Sequence, residues 1–201
     1  MRHVILFSMP SEEVLQQIFP DLFPTDLPRK ALAYMPSDGA LQGKSYERLR
    51  EAWQDIAREH DADFLTIDNS LIHAEEEQKK LLAANILVIT GGNPCMLLRN
   101  LRRSGLDQTV LEFARRDPGI IAGYSAGAMV CTPSVALSTV GPWQDDNIGV
   151  GLTDFEALHL VDYEVFPHYS DDLQPFFDRY VQMAKYPIKP LRDDEFFIHK
   201  W

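Results

Sequence analysis

Short apolar runs alternate along this chain with longer stretches in which apolar residues recur at helical spacing. Val4 to Phe7 is the first run and reads as a buried strand. From Ser11 to Phe19 the period turns helical. Ser11 is a suitable N-cap, Glu12 and Glu13 fall in the first turn, and Val14, Leu15, Ile18 and Phe19 share one side. Pro20, Pro24 and Pro28 then predict an irregular connection. Lys30 to Met35 is a second strand, closed by Pro36-Ser37-Asp38-Gly39, and Tyr46 to His60 carries Leu49, Trp53, Ile56 and Ala57 on one helical face. Asp63 to Ile67 is a third strand and Glu75 to Ala84 a helix. Ile86 to Thr90 is a fully apolar strand of the kind buried in parallel sheets. Helices follow over Met96 to Ser104 and Leu106 to Arg116, then the strand Gly119 to Tyr124. The tail holds a helix over Leu173 to Ala184 and a last strand near Phe196 to His199.

This strand–helix alternation predicts an α/β fold built on an open, mostly parallel sheet with helices on both faces. No repeat, low-complexity tract or linker interrupts it, so residues 1–201 read as a single domain. In such sheets, active sites lie beyond the carboxyl ends of the strands. Two turns fall at those ends, Gly91-Gly92-Asn93 and the turn that contains Ser125.

The second turn is the more informative. Ile120 and Ile121 lead through Gly123-Tyr124-Ser125-Ala126-Gly127 into small, helix-compatible residues, the strand–turn–helix pattern of a nucleophile elbow. A serine there needs a strained backbone, and glycines two residues to either side permit the close approach. Serine alone is a weak nucleophile and requires a base, itself held by a third group. Of the six histidines, His168 is the candidate, because it follows the β-like run Tyr163 to Phe166 and so also falls at a strand end. His3, His60, His73, His159 and His199 sit where an edge, surface or structural histidine needs no further explanation. The glycine turn offers a second part: Gly92 N–H can join Ala126 N–H as an oxyanion hole. Asn93 and Tyr124 flank these positions and are candidate substrate contacts.

Composition then narrows the partners. Hydrophobic residues make up 45% of the 201, enough for a substantial core, and the net charge of -11 disfavours a nucleic-acid partner. The two cysteines, Cys95 and Cys131, make no disulfide framework and suggest a reducing compartment. The apolar run at the start is too short for a signal peptide, and no stretch approaches the ~20 apolar residues of a membrane span, so a cytoplasmic location without membrane contact is expected. No phosphate-loop or dinucleotide fingerprint is present, and Asp145-Asp146 and Asp171-Asp172 lack a histidine at ligand spacing. No metal and no cofactor is therefore expected, with a monomer or homodimer as the working state.

Three motifs together resemble the peptidase E family of serine peptidases, which includes dipeptidase E and the cyanophycinases. They are Val88-Ile89-Thr90-Gly91-Gly92-Asn93 with Leu97-Leu98, Ile121 to Ala128, and Glu156 to Val161 leading to Phe166-Pro167-His168-Tyr169. The resemblance implies a class I glutamine-amidotransferase-like α/β sandwich. It also implies Ser125 as nucleophile, His168 as base, and Gly92 and Ala126 N–H groups as the oxyanion hole. The family's acid falls in Leu191-Arg192-Asp193-Asp194-Glu195-Phe196, where matching the preceding apolar residue selects Asp193, with Asp194 and Glu195 as rivals. Side-chain alternation along a strand there would put Asp193 and Glu195 on one face.

The resemblance implies a serine peptidase acting on small peptides. A non-catalytic ligand-binding or regulatory member of the same fold, and an esterase or acyl transferase using the same elbow, are the alternatives. The segment after His168, Ser170 to Phe177, is shorter than in aspartyl dipeptidases, which carry there an arginine that reads the acidic side chain. Arg179 is the candidate for that part, and aspartyl specificity stays open.

Overall fold

The computed structural model describes residues 2–27, 29–39 and 44–201, and Pro28 of the first predicted connection lies outside them. Its first half is β1 (Arg2–Phe7), α1 (Glu12–Leu22), β2 (Lys30–Met35), α2 (Lys44–Glu59), β3 (Ala62–Thr66), α3 (Glu75–Ala83) and β4 (Ile86–Ile89). Then come α4 (Pro94–Ser104), α5 (Leu106–Arg115), β5 (Gly119–Tyr124), α6 (Ala126–Cys131), β6 (Glu164–Phe166), α7 (Gln174–Val181), β7 (Ile188–Pro190) and β8 (Phe196–Lys200). Six strands form the central sheet in the order β3-β2-β4-β5-β1-β8. β8 runs antiparallel to β1, and the other neighbours are parallel. The sheet is therefore mixed but mostly parallel, with helices on both faces as the alternation predicts.

Strand alternation divides the core into two layers. Ile5 and Phe7 of β1, Leu32 and Tyr34 of β2, and Ile120 and Ala122 of β5 face one way. They meet Val14, Ile18 and Leu22 of α1 and Trp53 of α2. Val4, Leu6, Ala33, Met35, Leu87 and Ile121 face the other way, against α3, α4, α5 and α6. Strands sandwiched in this manner need apolar residues on both faces, which is why β4 and β5 are buried throughout.

The helix expected to reach Ala184 ends at Val181, and two further departures from the expected elements have a clear physical reason. α1 continues through Pro20 to Leu22 instead of stopping at Phe19. Proline removes one helical N–H, but the stripe Val14, Ile18 and Leu22 is fully buried, and that apolar contact outweighs the lost bond. The chain between α7 and β8 forms β7, which pairs parallel with β6 in a separate two-stranded ladder. Three residues are too few to carry a readable period.

Candidate active site

β1 and β5 are neighbours in register, Phe7 opposite Tyr124. The chain past each strand end brings Ser8 and Ser125 together at the carboxyl edge of the sheet, and Ser125 N–H donates to Phe7 O at 3.1 Å. Ser125 has φ 51° and ψ -115°, a left-handed conformation that L residues rarely adopt. The flanking glycines allow this turn. A Cβ on Gly123 would lie 2.6 Å from Gly127 O, and one on Gly127 would lie 2.3 Å from Ile89 O. The elbow is thus pressed against the end of β4. A Cβ on Gly91 would come within 3.1 Å of Ser125 Cβ, so the Gly91-Gly92 turn abuts the serine. Gly92 has φ 141°, and Ala126 opens α6 directly beneath Ser125.

His168 arrives from the other side. The ladder of β6 with β7 pairs Phe166 with Pro190. Leu191 N–H then donates to Phe166 O at 3.0 Å, and Tyr169 N–H to Leu191 O at 3.2 Å. These bonds fix the turn at His168, itself at φ 54°, beside the turn that holds Asp193. His168 Nε2 lies 2.7 Å from Ser125 Oγ, and His168 Nδ1 lies 2.7 Å from Asp193 Oδ1. Ser125, His168 and Asp193 therefore form one continuous hydrogen-bonded row. Burial pushes the Asp193 carboxyl up, but hydrogen bonds from Ser8 and His168 and the His168 charge outweigh it and hold it below its ordinary value.

The Asp193 carboxylate is not delivered by strand alternation. Residues Asp193 and Asp194 lie in a turn, and β8 begins only at Phe196. Glu195 folds back so that its carboxylate accepts Arg192 N–H at 2.9 Å, and Asp194 is exposed to solvent. Turn geometry, not pleat, thus selects Asp193 from the acidic trio.

The other candidates have different surroundings. The Asn93 amide is engaged at both ends: its oxygen caps α4 by accepting Met96 N–H at 2.8 Å, and its nitrogen donates to Asp146 O at 2.7 Å. Tyr124 is 5% exposed and packs on Phe7, in the core under the elbow. Asn93 thus serves as a cap, and the Tyr124 ring also borders the Gly91 turn, where a Cβ would stand 3.2 Å from its Cε2. Arg179 lies on α7, outside the hydrogen-bonded row. It lines a cavity of about 290 Å³ with Gln144, Phe176 and Tyr180. Cys95 is buried, 3.1 Å from Ser138 Oγ, and burial raises its thiol pKa. Among the described residues no cluster of three or more potential metal ligands is present, and no helix is long and apolar enough to cross a membrane.

One participant was not foreseen. Ser8 Oγ donates to Asp193 Oδ1 at 2.7 Å, accepts His168 N–H at 2.7 Å, and lies 3.2 Å from His168 Nδ1. The readable signal was only a hydroxyl directly after the first apolar strand; that this strand lies beside β5 follows from the sheet order.

The profile of peptidase family S51 matches residues 5–196. An uncharacterized peptidase of Listeria monocytogenes is 35% identical over 92 residues, covering 46% of this chain and 43% of that protein. A peptidase E of Escherichia coli is 23% identical over 169 residues, covering 83% of this chain and 67% of its own length. A crystal structure of a Listeria monocytogenes protein proposed to be a peptidase E superimposes with a TM-score of 0.74 at 23% identity, covering 100% of this chain and 99% of that one. The match to the first of these relatives thus spans less than half of that protein's length.

Proposed function

Because the chain belongs to peptidase family S51, we propose that it is a serine peptidase that hydrolyses small peptides, in the manner of a dipeptidase, through Ser125, His168 and Asp193. The observation that carries this reading is the row from Ser125 Oγ through both ring nitrogens of His168 to Asp193, with 2.7 Å at each contact. His168 Nε2 takes the Ser125 proton as Oγ attacks the peptide carbonyl carbon. Nδ1–H donates to Asp193, which fixes the tautomer and stabilises the imidazolium formed during attack. The N–H groups of Gly92 and Ala126 hold the developing oxyanion. The tetrahedral intermediate collapses, the C–N bond breaks, and His168 returns its proton to the departing amine. Water then attacks the acyl-enzyme by the same proton route, releasing the acid and restoring Ser125.

A panel of N-terminally free dipeptides, N-blocked analogues and simple esters tests this reading. Cleavage of free dipeptides that Ser125→Ala abolishes supports it. Turnover of esters alone assigns the elbow to an esterase, and peptide turnover unchanged by Ser125→Ala overturns the reading.

A further inference from the structure

Ser8 closes β1 and is wholly buried. Its hydroxyl touches the backbone and ring of His168 and the carboxylate of Asp193, all within 3.2 Å. We propose that Ser8 is a positioning residue that sets the His168–Asp193 pair in register with Ser125. The proposal rests on the reading of those three residues as the catalytic set.

Three observations carry it. First, the Asp193 side chain is 62% exposed and stands on a turn. An ion pair that open to water is weak and leaves the carboxylate several rotamers. Ser8 reaches it from the buried side, from a strand held between β5 and β8, and so supplies the fixed anchor. Second, the hydrogen bonds are mutually consistent. For Nε2 to accept the Ser125 proton, Nδ1 must carry hydrogen. Ser8 Oγ then faces two donors from His168, its N–H and Nδ1–H, so the Ser8 proton points at Asp193. The opposite tautomer would remove the Nδ1–H that Asp193 accepts. Asp193, which can only accept, therefore favours the tautomer the reaction needs, and Ser8 holds that acceptor in place. Third, His168 holds a left-handed φ of 54°. That conformation needs outside support, and Ser8 receives the N–H that the turn presents.

The test is the rate at which a fluorophosphonate labels Ser125 at a fixed pH. In that reaction Ser125 Oγ displaces fluoride from phosphorus, and its proton passes to His168. Wild type is compared with Ser8→Ala, Ser8→Thr, Asp193→Ala and the double variant Ser8→Ala/Asp193→Ala. Losing one hydrogen bond to a charged group slows labelling by about 10- to 100-fold in Ser8→Ala. Ser8→Thr, which keeps the hydroxyl, restores it. In the Asp193→Ala background, Ser8→Ala adds less than about twofold, because the two act through one another. A purely structural role predicts the same slowing in both backgrounds and no rescue by Ser8→Thr. Ser8→Ala labelling like wild type, or slowing equally without Asp193, overturns the proposal. If Ser8→Ala does not fold, Ser8→Cys keeps the volume with a weaker bond and gives the same comparison. Should wild type not label at all, the catalytic reading fails. Ser8 is then judged by the His168 Nδ1 proton in NMR spectra: loss of that signal in the variant supports positioning, and an identical signal rejects it.

Discussion

Glu164 sits on β6, four residues before His168, and is 2% exposed. Tyr180 donates a hydrogen bond to its Oε2 at 2.8 Å. Burial drives its pKa from 4.5 to about 7; the Tyr180 bond opposes the rise and the nearby Glu156 charge adds to it. Between those values the native protein holds a proton that the unfolded chain has already released. Unfolding therefore releases a proton there, and the Glu164 contribution to stability falls as pH rises from 4.5 to about 7, then levels off. At about 1.4 kcal/mol per pH unit, this interval corresponds to about 3 kcal/mol of destabilisation once Glu164 is ionised. Glu164→Gln keeps the size and an acceptor for Tyr180 but cannot ionise. The variant is expected to match wild type near pH 4 and to exceed it by up to about 3 kcal/mol at pH 8, or roughly 6–12 °C in Tm for a chain of this size. Denaturant titrations of both proteins at four pH values between 4 and 8 measure the difference, with other titrating groups common to the pair. Parallel curves for wild type and variant would refute the reasoning, as would a gap that closes with rising pH.

Asp193→Asn should lower kcat on the order of 10²- to 10⁴-fold with little change in KM, while Asp194→Asn leaves steady-state kinetics near wild type. Gly127→Ala should destabilise the fold, typically by about 1–3 kcal/mol for overpacking of this sort, because the new Cβ meets the backbone of Ile89 at 2.3 Å; a thermal melt reads this. Cys131 is fully buried and its thiol is pushed up to about 12 by burial, so a thiol reagent at neutral pH should modify it only after denaturant is added.

The strands that hold the site were legible because a sheet covered on both faces demands near-continuous apolar residues, and β4 and β5 have them. Ser125 was legible for a related reason: its glycines answer a steric need, visible in the contacts of Gly123 and Gly127. His168 could be placed at a strand end although its strand has only three residues. The geometry that aligns it with Asp193 could not. That alignment comes from the short β6–β7 ladder and from a turn in which Glu195 caps Arg192 N–H, and neither has a periodic signature. Asp193 was therefore selected by resemblance, and the alternation argument offered beside it does not apply to a turn. Asn93 and Tyr124 illustrate a second limit. Both lie beside the Gly91-Gly92 turn, but the capping bond of Asn93 and the packing of Tyr124 on Phe7 are parts that proximity in sequence does not foretell. Ser8 was overlooked because its partners lie 160 and 185 residues away, and that distance is closed only by the order of strands in the sheet.

The central claim is that Ser125 is a nucleophile activated by His168. The most direct measurement is peptide mapping by mass spectrometry after treatment with a serine-directed organophosphonate. A single adduct on Ser125 is expected, absent in Ser125→Ala and formed far more slowly in His168→Ala. An adduct on another residue, no adduct in folded wild type, or labelling of Ser125 at the same rate without His168 would contradict it.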